Sequence, residues 1–308
     1  MNDQIEVSAG GESPEKHAAA RRSTLVSVVV NIGLTVAQIV AGILSHSQGL
    51  IADGIHSLSD LVADFVVLFA NHHSQKEADA DHHYGHHRYE TAASLVLGVL
   101  LLAVGVGMLW SAVNKLHDPH LIVKVKVAAL WVALAALLAK ELLFRYMLAV
   151  AERVRSSMLV ANAWHARSDA ASSLVVAVGI GGSLLGLPIL DPIAALVVGV
   201  MVSRMGWTFG WSALHDLMDG AVDESQVEQI REILQTTPGV KGVHDLKTRK
   251  MGDLIIVDVH LEIDGAITVS EGHEITVAAR NRVKKDLPVL DVLVHADPYG
   301  EPDEDFVG

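Results

Sequence analysis

Residues 159–185 read LVANAWHARSDAASSLVVAVGIGGSLL. The stretch is long and apolar enough to cross a bilayer, which takes about 20 residues as a helix. Yet it holds His165 and Asp169, four residues apart. A helix turns once in about 3.6 residues, so both side chains project from one face, one above the other. The spacing returns at His56 and Asp60 inside GLIADGIHSLSDLVADFVVLFA, residues 49–70. Ionisable groups at the centre of a span cost about 2.5–3.5 kcal/mol each on insertion scales and mark ion or proton paths. Two imidazoles and two carboxylates suffice for the tetrahedral shell of a zinc-like cation. Either pair alone would serve equally as a polar contact between helices. Two matching pairs in separate spans predict metal movement across a membrane.

Bulk composition agrees. The 308 residues are 51% hydrophobic, with mean hydropathy +0.37, too apolar for an ordinary soluble chain. Thr91 to Asn114 carries no charge. A net charge of −13 argues against nucleic acid as a partner. There is no cysteine, so disulfides, thiolate sites and cysteine nucleophiles are excluded, and a transition metal must be held by His, Asp and Glu. Six of the 17 histidines fall between His72 and His87. Residues 1–20 are polar, with Gly10, Gly11 and Pro14; they are expected to be disordered and lack the apolar core of a cleavable signal.

The expected fold is a multi-pass α-helical membrane protein: six transmembrane helices in residues 21–215, then a cytoplasmic αββαβ domain in 216–300 and a tail in 301–308. The apolar segments are Ser23–Ser45, Gly49–Ala70, Thr91–Val113, Leu121–Leu143, Leu159–Leu185 and Ile189–Leu214. Lys16, Arg21, Arg22, Lys76, Arg88, Arg145, Arg153 and Arg155 fall on one side, against a minority of Lys115, Lys124 and Lys126. The positive-inside rule then puts both termini in the cytoplasm. Beyond Asp223, Glu224–Gln235 has helical spacing and Val243–Lys250 and Leu254–Ile263 alternate like strands. Ser270 is placed to cap a helix over Glu271–Lys285, and Val289–His295 reads as the last strand.

With six spans and the tail inside, the second and fifth segments run antiparallel. His56 then lies level with Asp169, and Asp60 with His165, the two levels being about one turn apart. Asp64 extends the first face toward the cytoplasm, as a lining of the inlet path or as an interfacial residue. Asp53, Asn31 and Gln38 suit support or helix packing better than ligation. Arg167 lies off the ligand face and is expected to snorkel or to pair with an acidic neighbour.

These residues, with Asp79-Ala-Asp-His82-His-Tyr84-Gly85-His86-His-Arg88 between the second and third spans, resemble the cation diffusion facilitator family. The two HxxxD motifs, the YGHxR loop, six spans and the αββαβ tail stand in that family's order. The resemblance implies a homodimer in the lipid bilayer that exports divalent metal from the cytoplasm by proton antiport. It also suggests a bacterial inner membrane. Its transport site falls on His56, Asp60, His165 and Asp169. Histidine at the first of these positions matches the animal zinc transporters and favours Zn2+; iron, cobalt, nickel and cadmium stay open. The manganese branch uses more carboxylates and no histidine in the fifth span.

By the same resemblance, Asp79, His82 and His86 form a second metal site, their spacing suiting a helical turn. A loosely metal-collecting loop is the plainer reading. His244, His260, His273, His295 and Asp297 match a binuclear site of the cytoplasmic domain, although Ala296 stands where relatives can carry a polar side chain. Arg88 and Asp219 match a charge pair joining the spans to that domain. Zn2+ enters as substrate and as a structural or regulatory ion; no organic cofactor is implied. A non-transporting membrane metal sensor would have no need of mid-membrane ligands. A metallohydrolase would want an open water position and a general base, and the chain has no HExxH. A passive channel would be slowed by four tight ligands.

Overall fold

The computed structural model describes residues 14–74, 76–153 and 157–300; within these, the side chains of 14–21, 67, 71, 72, 157, 158, 161, 162 and 165 are outside the description. Six long helices come first: α1 Pro14–Ser45, α2 Gln48–Ser74, α3 Arg88–His117, α4 Val127–Arg153, α5 Ser157–Leu184 and α6 Leu190–Leu217. The C-terminal region follows as α7 Glu224–Gln235, β1 Val240–Met251, β2 Leu254–Ile263, α8 Val269–Asp286 and β3 Val289–Pro298. This is the expected αββαβ order.

By length and composition, four described helices are apolar enough to span a membrane: Arg22–Ser45, α3, α4 and α6. The other two long helices, α2 and α5, each contain residues outside the description and carry the two HxxxD pairs. Asp53, His56, Asp60 and Asp64 lower the hydropathy of α2, and His165, Arg167, Asp169 and five serines that of α5.

Several boundaries differ from the expectation. The first helix is described from Pro14 onward, inside the segment expected to be disordered; the alanines at 18–20 propagate a helix well. The fourth helix runs from Val127 to Arg153 rather than Leu121–Leu143. Asp118 caps a single 3-10 turn at Pro119–Leu121, accepting from the His120 N–H at 3.1 Å. At the far end the Arg145–Glu141 pair, 2.8 Å apart, supports continued helix. Thr268, not Ser270, caps α8: its hydroxyl accepts from the Glu271 N–H, and the Glu271 carboxylate accepts from the Thr268 N–H at 2.8 Å.

The chain divides into two compact units, one up to Phe65 plus Leu100–Trp207, the other Val66–Val99 plus everything from Thr208. The first is cored by Leu50, Val176, Ile180, Val198 and Val202 with small residues such as Ala129, Ala133 and Ala195 between them. Small side chains let membrane helices approach closely. A Cβ on Gly105 would sit 2.6 Å from the Ser203 nitrogen, so α3 and α6 meet backbone to backbone there. Large apolar residues such as Leu25, Val29, Val36, Leu138 and Val178 are exposed on this unit, as a lipid-facing surface requires. In the second unit, β1 pairs antiparallel and β3 parallel with the central β2. Ile230, Leu234, Val257, Leu261, Ala279 and Val283 core that layer.

Candidate metal centres

Helical periodicity in α2 puts His56 and Asp60 on one face, with His56 Nδ1 3.8 Å from Asp60 Oδ2. On α5, Asp169 faces them: His56, Asp60 and Asp169 each offer a ligand atom, and these lie within 4.8 Å of one another. His56 is buried and the two carboxylates half-buried. The His165 side chain lies outside the described residues; its backbone is in α5, four residues before Asp169. One level further along the seam, Asp53 accepts from Ser172 at 2.8 Å and Ser173 at 2.6 Å. Stepping forward along α2 from Asp53 to His56 and Asp60 thus steps the partner back along α5, from Ser172 and Ser173 to Asp169. The helices are antiparallel, as expected. Gln38 also donates to Asp53, and Asp64 is exposed on α2.

Two side chains differ from the sequence reading here. Arg167 lies over the rings of Phe144 and Trp164, its Cζ 4.8 and 5.2 Å from their centroids. Lys140, which hydropathy reading passed over, is buried with its Nζ 3.6 Å from Asp53 Oδ1. A lysine inside an apolar run was the available signal; its partner lies in another helix.

Asp79, His82 and His86 also converge, but not on a helical turn as expected. They lie in a loop turned by Gly85 at φ +80°. Asp79 accepts from the backbone N–H of His82 at 2.7 Å and of Asp81 at 3.0 Å. These bonds, the His82 one foremost, hold its carboxyl below the usual carboxylate range. His82 Nδ1 and His86 Nε2 each stand 3.4 Å from it. A short loop folded about a carboxylate replaces the helix and keeps the three groups together.

In the cytoplasmic sheet, strand register does the work of helical spacing. His244 is opposite His260, and His260 opposite His295, so three imidazoles line up across three adjacent strands. Asp297, two residues past His295, returns to the same face. Its carboxylate lies 2.9 Å from His260 Nδ1, 3.4 Å from His244 Nε2 and 3.1 Å from His295 Nε2. His273 is not brought into this cluster: it is exposed on α8, beside an adjoining cavity of about 410 Å³ that Asp297 also borders. Asp245, which had not been singled out as a ligand, stands 3.9 Å from His260 Nε2 at a strand irregularity. Its hydrogen bond with Lys247 lowers its pKa. Arg88 and Asp219 pair at 2.6 Å, both substantially exposed, so the pair contributes about 0–1 kcal/mol.

Residues 24–218 match the family model described as the Cation efflux transmembrane domain, and 222–299 match that of the Cation efflux protein, cytoplasmic domain. The chain belongs to the cation diffusion facilitator family. Its similar proteins include Metal tolerance protein C1 of Arabidopsis thaliana, 36% identical over 89% of this chain and 61% of that protein. The chain thus spans under two thirds of that relative's length. The Uncharacterized transporter YdbO of Bacillus subtilis is 32% identical over 93% of this chain and 98% of its own. The Manganese efflux system protein MneS of the same organism is 30% identical over 89% and 94%. Among solved structures, the metal-bound C-terminal domain of the CzcD transporter from Thermotoga maritima is 26% identical over 27% of this chain and all of that one, TM-score 0.25. Family membership rests on the sequence matches. It places the chain among membrane transporters of divalent metal cations, not among enzymes.

Proposed function

We propose that the protein exports divalent transition metal, Zn2+ first, from the cytoplasm in exchange for protons. His56, Asp60, His165 and Asp169 are the site through which the ion passes, opened alternately to either side. The observation that carries this is the meeting of His56, Asp60 and Asp169 between two antiparallel helices of the bundle. Imidazole nitrogen and carboxylate oxygen suit zinc, which prefers four tetrahedral ligands. Binding needs neutral histidine and ionised aspartate, so metal displaces protons and returning protons displace metal. That gives antiport without any further group. The same reading makes the protein a homodimer of the bacterial inner membrane with both termini in the cytoplasm. The loop and sheet clusters then serve as cytoplasmic metal sites.

A broader metal range is the second reading, favoured by the likeness to a manganese efflux protein; iron, cobalt, nickel and cadmium belong to the same panel. Reconstituted vesicles with an imposed pH gradient test both. Zinc flux should exceed the others, and Asp169→Ala should abolish it while leaving the protein folded. Normal zinc flux in that variant refutes the site, and faster manganese than zinc refutes the metal.

A further inference from the structure

Lys140 is a buried cation for which the four transport ligands do not account. It is 4% exposed on α4, in a region where an unpaired charge is strongly disfavoured. Its Nζ stands 3.6 Å from Asp53 Oδ1 and 3.4 Å from the backbone carbonyl of Asp169. Asp53 is itself fully buried and takes further donors from Gln38, Ser172 and Ser173. The Ser172 hydroxyl stands between Asp53 Oδ1 at 2.8 Å and the same Asp169 carbonyl at 2.7 Å, and its single proton goes to one of them at a time.

The placement matters more than the pair. Asp53 lies one turn before His56 on α2, and Ser172 and Ser173 one turn after Asp169 on α5. The pair therefore occupies the level of the interhelical seam next to the metal ligands. A bare carboxylate there would add a third carboxylate to the pull on a dication. Lys140 neutralises it and at the same time anchors the α5 turn that presents Asp169.

We propose that Lys140, held by Asp53, is a positioning residue for transport, a fixed charge that stops the seam from holding the dication too tightly to release it. This rests on the transport-site reading above. An ion that crosses must bind weakly enough to leave. Groups one turn apart, about 5–6 Å, interact strongly in a partly desolvated setting. Uncovering Asp53 should therefore tighten binding about tenfold or more.

The test is zinc flux in reconstituted vesicles across a range of zinc concentrations. Lys140→Met should lower both KM and kcat at least about tenfold, since release becomes limiting. Lys140→Arg keeps the charge and should hold KM near wild type. The double variant Asp53→Asn with Lys140→Met removes both charges and should bring KM back to within about threefold of wild type. A merely structural brace predicts unchanged KM in every folded variant. A folded Lys140→Met with wild-type KM, or a lowered KM that persists in the double variant, overturns the proposal. If Lys140→Met does not fold, Asp53→Asn alone decides: the uncovered ammonium should raise KM at least about tenfold, and an unchanged KM overturns it. Asp169→Ala runs alongside. Normal flux there overturns the transport site and this inference together, whereas a dead Asp169→Ala beside an unchanged Lys140→Met KM overturns only the role of Lys140.

Discussion

Asp297→Asn should do more damage to the cytoplasmic metal cluster than the loss of any one histidine. One carboxylate there meets three imidazoles, at 2.9, 3.1 and 3.4 Å. The substitution keeps size and one oxygen but removes the charge. At about 4 Å and an effective dielectric near 20, one unit-charge contact is about 4 kcal/mol. A dication doubles that, while carboxylate desolvation and the surviving amide oxygen offset most of it. A net loss of about 2–3 kcal/mol remains, or about 30- to 150-fold in zinc affinity. The cytoplasmic region from Val222 carries its own apolar core, so chelator competition on that fragment can measure the change. His273→Ala, outside the cluster, should shift affinity less than about threefold in the monomeric fragment. Unchanged affinity in Asp297→Asn, or a His273→Ala loss as large as the Asp297 one, would refute the carboxylate-centred cluster.

Two further outcomes concern stability. The Thr268–Glu271 cap lowers the Glu271 pKa, mainly through the hydrogen bond from the Thr268 backbone. Its contribution is therefore complete above the ordinary glutamate pKa and is lost as pH falls through the lowered folded value; Glu271→Gln should flatten that stretch of a urea-stability profile, and Thr268→Ala should cost about 1 kcal/mol. Asp191, buried at the start of α6, accepts from Ser47 at 2.5 Å and from the N–H groups of Gln48 and Gly49 at 2.7 and 3.2 Å. Asp191→Ala leaves three donors at the α2 N-terminus, and a loss of about 1–3 kcal/mol in detergent unfolding is expected; wild-type stability would show that other acceptors replace it.

Local periodicity made the pairing of His56 with Asp60 on α2 legible, because spacing of four within a helix places two side chains together whatever the rest of the chain does. Apolar run length likewise gave the helical plan, and alternation gave the three strands. The errors fall where a short-range signal competes with a neighbour. Ser270 and Thr268 are both plausible caps, and only Thr268 stands three residues before a glutamate able to reach back. The start of α4 was missed because Leu121, Ile122 and Val123 read as the beginning of a span, whereas Lys124 and Lys126 interrupt the apolar run and 122–126 are not helical.

The sequence by itself determined that charged pairs ride in membrane-length helices, that no thiolate takes part, and that a small αββαβ layer follows. Tertiary structure alone decided which helix faces which. It set the strand register that aligns His244, His260 and His295, left His273 outside their cluster, and placed Lys140 beside Asp53. The reason is physical: a helix or strand fixes neighbours a few residues apart, whereas contacts between elements depend on how whole surfaces pack. Lys140 and Asp53 are 87 positions apart, and nothing local to either encodes the other.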